Sequence, residues 1–298
     1  MDDRTRAFMN THARLLDRRR YEHLAAPSDR TRDAVRAALA AYLIPGGGYG
    51  AGLEPDLRSG TAQPVAGLHA FEVFEEVAPH PVPEAAALCD WLAAITLPDG
   101  GLPFALPVPD TAGVAPFFAA ADPAESSPHM TAMLAGCAHR LAGHDPAVRD
   151  HPWLAAATAY TMDRVRAMDG PGHALEYRFA LQFLDAAHDR VPDAPGELRR
   201  LGAFLPPSGI LPVAGGIEGE SMRPLDFAPA PDRPIRALFP PGSVDAELDR
   251  LAADRHDDGG WDVDWAAFSP AATLEWRGWA TVRAVQLLRA AHRDPAMR

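Results

Sequence analysis

The chain has 298 residues, of which 47% are hydrophobic and 23% charged, and its formal net charge is −12. This is the composition of a globular protein long enough to bury a core without disulfide or metal staples. The two cysteines, Cys89 and Cys137, form no CxxC pair, which argues against a disulfide framework or a zinc knuckle. The sequence contains no lysine, which excludes Schiff-base chemistry, pyridoxal phosphate attachment and a Walker-A loop. The acidic balance argues against nucleic-acid backbone binding.

In chain order, the opening Asp2-Asp3-Arg4 is charged, with no apolar run behind it. No stretch of about 18 apolar residues follows anywhere. The expectation is a cytoplasmic protein without signal peptide or membrane span. Arg14, Arg18, Arg19 and Arg20 alternate with Asp17 and Glu22, as on a solvated helix face. A glycine-centred turn then recurs at Pro45-Gly46-Gly47-Gly48-Tyr49-Gly50, Pro98-Asp99-Gly100-Gly101-Leu102, Met168-Asp169-Gly170-Pro171-Gly172, Pro207-Ser208-Gly209-Ile210 and Asp257-Asp258-Gly259-Gly260-Trp261. Glycine ends a helix in the left-handed region at little cost. After each turn comes a proline-bearing loop and another helix. Behind Gln63-Pro64, Val65, Leu68, Phe71, Phe74 and Val77 lie three apart; near the end, Trp276, Trp279, Val282, Val285 and Leu288 do the same. Each set makes an apolar stripe on one helix face. No alternation long enough for a strand appears. About eleven helices, in five to six hairpins, predict one all-α domain over residues 1–298: an α/α toroid with a central cavity.

Arg255-His256-Asp257-Asp258-Gly259-Gly260-Trp261 resembles the Gln-x3-Gly-x-Trp repeat of squalene cyclases, with Arg255 in the place of Gln. Pro98-Asp99-Gly100-Gly101 and Gly47-Gly48-Tyr49-Gly50 look like degenerate copies. The resemblance is to the terpene cyclase and protein prenyltransferase superfamily, and it implies the toroid. In that superfamily the repeats tie helices together and carry no catalysis. The class II cyclase motif Asp-x-Asp-Asp-Thr-Ala has its nearest counterpart in Ser127-Pro128-His129-Met130-Thr131-Ala132. His129 stands where the acid-bearing Asp would be. Asp262-Val263-Asp264-Trp265 supplies two Asp at the family's mutual spacing. His129 also falls where prenyltransferases place a zinc-ligand His, but the partner Asp-x-Cys is absent, so no metal site is expected. Gly50–Arg58, Pro224–Pro229 and Leu274–Gly278 further resemble a group of actinobacterial proteins to which no activity attaches.

In a toroid, the loops behind the turns and the starts of inner helices converge on one mouth, and a concave pocket with a few polar groups is the natural site. The candidate catalytic residues are Asp56, His129, Asp264, Glu54 and Glu275. In Glu54-Pro55-Asp56-Leu57-Arg58, either one carboxyl acts as a general acid while Arg58 orients the other, or the three fix a loop by ion pairing. Glu275 is either functional or a helix cap favoured by the dipole. His129 is either an acid–base group titrating near neutral pH or a structural hydrogen-bonder. Candidate substrate-binding residues are Arg58, Gln63, Tyr177, Asp226, Trp265, Trp276 and Arg277, with Glu176 and Arg178 beside them. The grouping of Trp261, Trp265, Trp276 and Trp279 suits either core packing or cation stabilisation.

Three functions fit. The first is acid-initiated cyclisation or isomerisation of an isoprenoid or similar hydrophobic small molecule, without cofactor unless a diphosphate substrate brings Mg²⁺. The second is a carbohydrate-active hydrolase or lyase using paired carboxylates. The third is a binding toroid without chemistry.

Overall fold

The computed structural model describes residues 2–292. Helices dominate: α1 (Asp3–His12), α2 (Leu15–Ala25), α3 (Asp29–Ala40), α4 (Pro64–Glu76), α5 (Pro83–Ile95), α6 (Pro116–Ala119), α7 (Pro128–Leu141), α8 (Pro146–Arg149), α9 (Pro152–Ala167), α10 (Ala174–Ala187), α11 (Ala194–Gly202), α12 (Pro224–Phe227), α13 (Ser243–Ala253) and α14 (Pro270–Ala290). Among the described residues these are fourteen, of which α6, α8 and α12 are single four-residue turns, so eleven longer helices remain. Proline opens α4, α5, α7, α9 and α14, the first-turn position where its missing N–H costs nothing. Among the described residues, strands are confined to two-residue antiparallel pairs, Leu102–Pro103 with Ser126–Ser127 and Leu211–Pro212 with Ser221–Met222, besides two isolated bridges.

By contacts the chain forms two compact units. One comprises the chain up to Ala41 and from Leu205 onward; the other is Tyr42–Phe204. In the first, α14 packs against α1, α2 and α13, and Trp276, Trp279, Val282, Val285 and Leu288 are all buried, as their spacing predicts. In the second, α7 lies against α4, α9 and α10. Every α7 residue from Met130 to His139 is buried, which explains its run of Ala, Met, Leu and Gly: a helix enclosed on several sides has no room for a polar face.

Three of the five glycine turns share one geometry. The N–H groups of Ile44, Leu97 and His256 donate to the carbonyls of Gly48, Gly101 and Gly260 at 2.8, 2.8 and 3.0 Å. Gly47, Gly100 and Gly259 donate back to the same Ile44, Leu97 and His256, at φ of 99°, 91° and 94°. The second glycine of each turn lies under an aromatic ring. A Cβ there would come within 2.4 Å of Trp91 on α5, 2.7 Å of Tyr160 on α9, and 2.8 Å of Phe8 on α1. In two turns a buried helix threonine then catches the next backbone N–H: Leu102 donates to Thr131 of α7 at 2.8 Å and Trp261 to Thr281 of α14 at 3.1 Å. The turns at Met168–Gly172 and Pro207–Ile210 do not repeat this pattern. Pro171 has no N–H to donate; Gly209 does donate to Pro206 three residues back, but Pro206 has no N–H to return the bond.

Gly259 therefore needs both its backbone conformation and its bareness. A Cβ would lie 2.5 Å from the carbonyl carbon and 2.6 Å from a backbone nitrogen of α1. Gly259→Ala is expected to destabilise the fold by about 2–4 kcal/mol in urea unfolding. Gly46→Ala, at φ 105° with nothing within 4 Å, should cost only the conformational strain of about 1–2 kcal/mol. Equal losses at the two positions would contradict the packing role.

Candidate active site

The loop 50–63 of the Tyr42–Phe204 unit is drawn inward, with Glu54, Asp56, Ser59 and Gln63 all buried. Glu54 pairs with His69, a residue that no sequence motif marks. Its Oε2 lies 3.0 Å from Nε2 of His69 on α4, and Nδ1 of His69 lies 3.2 Å from Oε2 of Glu72 one turn on. Glu54 Oε1 also accepts the Asp56 N–H at 3.2 Å. Burial alone would push the imidazole down. The Glu72 charge, hydrogen bonds to Glu54 and Glu72, and the Glu54 charge outweigh it and raise the pKa to about 9. At neutral pH this is a carboxylate–imidazolium–carboxylate clasp fastening the loop to α4. Glu54 is thus half of an ion pair and 5% exposed.

Gln63 is fully buried. Its Nε2 donates to the Leu106 carbonyl at 3.1 Å and to Thr61 Oγ1 at 3.0 Å, and its Oε1 accepts the Leu106 N–H at 2.9 Å. Asp56 and Arg58 touch the same stretch of chain through their backbone: Ala115 N–H donates to the Asp56 carbonyl and Arg58 N–H to that of Gly113. Tyr177 on α10 is also fully buried, with its hydroxyl donating to the Leu201 carbonyl at 2.6 Å. The expectation that Gln63 and Tyr177 bind substrate directly is corrected accordingly. Both hold one piece of backbone against another and present no face to a ligand.

His129 is the second residue of α7, behind the cap in which Ser127 Oγ accepts the Met130 N–H. Its ring stacks on Phe179 at 4.9 Å and 16° and meets Phe104 at 5.8 Å. Phe104 stacks on Phe118 at 5.3 Å, Phe118 meets the half-exposed Phe117 at 4.6 Å, and the Arg178 guanidinium lies 4.8 Å over Phe179. Burial first, then the charges of Arg178 and His173, push the His129 pKa down to about 3. The ring is neutral at physiological pH, so the expected acid–base titration near neutrality is corrected: His129 extends an aromatic platform.

In the other unit, Asp264 precedes Trp265. The Trp265 ring meets Trp276 at 5.1 Å and Trp279 at 6.0 Å, and Trp276 meets Trp279 at 5.5 Å, all edge to face. Arg283 lies 5.6 Å over Trp279. Partial burial pushes the Asp264 carboxyl above the usual range; Arg250 and Arg223 oppose this, and Asp226 and Asp254 add to it. Its Oδ2 stands 4.0 Å from Arg250, and the side chain remains 57% exposed. Asp226 caps α12 by accepting the Arg223 N–H at 2.9 Å and lies 3.7 Å from Arg283. Arg277 is tied to Asp262 at 2.5 Å and Asp258 at 2.9 Å, over the Phe8 ring. It braces the last glycine turn, which accounts for the Arg two positions past the half-buried Glu275. Arg255 lies 5.7 Å over Trp261 and pairs with Asp2.

Of the expected residues, then, Asp264, Trp265, Trp276 and Asp226 come together in one unit, while His129 anchors a platform in the other. Among the described residues no group of three or more His, Cys, Asp or Glu is placed to hold a metal ion, and no helix is long and apolar enough to cross a membrane.

Comparison with known proteins places the fold. No family model matches the chain, and no curated protein does. Two solved structures of the type II terpene cyclase MstE from Scytonema are similar. One is an Arg-to-Ala variant in complex with the substrate geranylgeranyl dihydroxybenzoate. It has a TM-score of 0.50 and 12% identity, over 93% of this chain and 87% of that one. The other is an Asp-to-Ala variant in complex with the product merosterolic acid A, with a TM-score of 0.51 and 12% identity, over 95% and 87%. The chain shares their all-α fold.

Proposed function

We propose that this protein is a cytoplasmic, terpene cyclase-like enzyme that binds an isoprenoid or similar hydrophobic chain and starts its cyclisation or isomerisation by protonation. The observation that carries this reading is the Asp264 carboxyl, pushed above its usual range and followed directly by Trp265 in the edge-to-face trio with Trp276 and Trp279. A raised carboxyl pKa is the direction proton delivery requires, and indole faces stabilise a neighbouring cation through their quadrupole. The fold shared with a cyclase that takes a geranylgeranyl substrate supports the same substrate class by analogy.

A second reading, a binding protein without chemistry, draws on the ion pairing of Asp262, Asp226 and Glu54. Incubation with prenyl diphosphates, squalene-type polyenes and epoxides, with and without Mg²⁺, separates the two. Cyclised or isomerised product is expected from a polyene or epoxide without Mg²⁺. Saturable binding with no product across the panel favours the second reading.

A further inference from the structure

We propose that Glu247 is a positioning residue for Asp264: by taking the guanidinium groups of Arg223 and Arg250 onto its own oxygens, it keeps a close cation off the Asp264 carboxyl and lets that carboxyl hold its proton. All of these groups lie in one compact unit, the one that contains α13 and α14. The consequence for turnover rests on the reading of Asp264 above; the charge arrangement itself does not.

Glu247, Arg250 and Asp254 stand three and four residues apart along α13 and its C-cap, so they share one face. Glu247 is buried, at 8% exposed. Its Oε2 accepts from Arg250 Nε at 2.9 Å, and its Oε1 accepts from Arg223 Nη1 at 3.3 Å. On the other side of Arg250, Asp254 accepts from Nη1 at 2.6 Å. That leaves Nη2 to face Asp264, and it stands 4.0 Å from Oδ2, beyond hydrogen-bond range. Arg223 is held at its backbone as well, where its N–H donates to Asp226 at 2.9 Å.

Charge balance then singles out Asp264. Four carboxylates (Glu247, Asp254, Asp226 and Asp264) share this patch with three guanidinium groups (Arg223, Arg250 and Arg283). With all of them ionised, one negative charge has no counterpart. Glu247 and Asp254 accept guanidinium hydrogen bonds, and Asp226 accepts a backbone N–H and lies 3.7 Å from Arg283. Asp264 has the longest cation contact of the four, so a proton is least costly there. Its pKa is raised first by burial; Arg250 is the strongest opposing influence, followed by Asp226, which adds to the rise, Arg223, which opposes it, and Asp254, which adds again. The two opposing cations are the two that Glu247 holds. Removing the Glu247 charge releases both toward another carboxylate, and Asp264 already faces Arg250.

The test titrates wild type and Glu247→Gln, free of substrate, by carbon NMR of protein labelled at the aspartate carboxyl carbons. The Asp264 resonance is the one missing from Asp264→Asn. In Glu247→Gln its midpoint is expected about one pH unit or more below that of wild type, the scale of a carboxylate gaining a close cation. Glu247→Asp, which keeps the charge, should lie nearer wild type than Glu247→Gln does. Arg250→Met removes an opposing cation and should move the midpoint up. In turnover of a polyene or epoxide, the falling limb of the Glu247→Gln pH–rate profile should move toward acid by the same amount. On the acid side of that limb the rate should stay within about threefold of wild type. A merely structural role would lower the whole profile and leave the limb in place. An Asp264 midpoint that stays put or rises in Glu247→Gln overturns the proposal. If Glu247→Gln does not fold, Arg250→Met decides it, and an unmoved midpoint there overturns it. A midpoint that moves as expected in a protein that turns over nothing refutes the cyclase reading and leaves the charge arrangement standing. Turnover by wild type with an unmoved midpoint in Glu247→Gln refutes this inference alone.

Discussion

Replacing His69 by Gln is expected to cost about 3–5 kcal/mol of stability, the usual loss when one member of a buried ion pair is removed. The imidazolium stands between two carboxylates, 3% exposed, at 3.0 and 3.2 Å. A glutamine amide can donate to one carboxylate and supplies no charge to either, which leaves Glu54 and Glu72 facing each other across a low-dielectric gap. Urea unfolding should show a lower midpoint with an unchanged slope.

The pH dependence carries a definite sign. The folded pKa of His69 is raised from 6.5 to about 9. Its contribution is fully present below the unfolded value, declines as pH rises between the two, and is gone above the folded value. The raised pKa corresponds to about 3 kcal/mol. Wild type should therefore lose stability between about pH 6.5 and pH 9 relative to pH 6, and His69→Gln should lack that part of the slope. Parallel slopes in the two proteins would show that His69 is not the titrating group.

The largest effect on activity is expected at Asp264. Asp264→Asn should lower turnover of a polyene or epoxide by at least about a hundredfold, the low end of what a positioned general acid contributes. The amide has nearly the same shape but no carboxylic proton. Because the side chain is 57% exposed, unfolding should change little and substrate affinity should persist, which separates lost chemistry from lost structure. Asp264→Glu should recover part of the rate. His129→Phe keeps an aromatic ring against Phe104 and Phe179, and since the imidazole is already neutral with a pKa of about 3, its effect should stay within about tenfold. With Asp264 as the acid, the rate falls as pH rises through its raised pKa. Turnover retained by Asp264→Asn and lost by His129→Phe would reverse the assignment.

The parts of this molecule legible in the sequence are those governed by local rules. Gly-Gly before Tyr49, Leu102 or Trp261 marks a turn because two glycines meet two separate demands, a left-handed φ and room for a ring. The three-residue spacing of Trp276, Trp279 and Val282 marks a buried face. The adjacency of Asp264 and Trp265 needs no folding to be seen.

The clasp was not legible in the same way. His69 lies between Leu68 and Ala70 in an apolar helix, and its partner Glu54 is fifteen residues away across an irregular loop. The one local sign was His69 and Glu72 three apart on a helix otherwise carrying Val, Leu and Phe. Phe104, Phe117 and Phe118 sit in a proline-rich segment with no period to read, so nothing local assigned them to His129. Gln63 and Tyr177 were polar residues near helix starts, and sequence alone cannot say whether such a group faces a ligand or a backbone carbonyl. The role of Arg255 emerged only in three dimensions. It covers the Trp261 face while pairing with Asp2.

If the reaction begins by proton transfer to the substrate, turnover in D₂O will record it in the product. An acid whose proton exchanges with solvent places one deuterium at the carbon protonated first. The expected mass spectrum shows product one mass unit heavier than in H₂O, with Asp264→Asn forming neither isotopic species at a comparable rate. Product that carries no deuterium, or that forms only from a diphosphate in the presence of Mg²⁺, would rule out protonation as the first step.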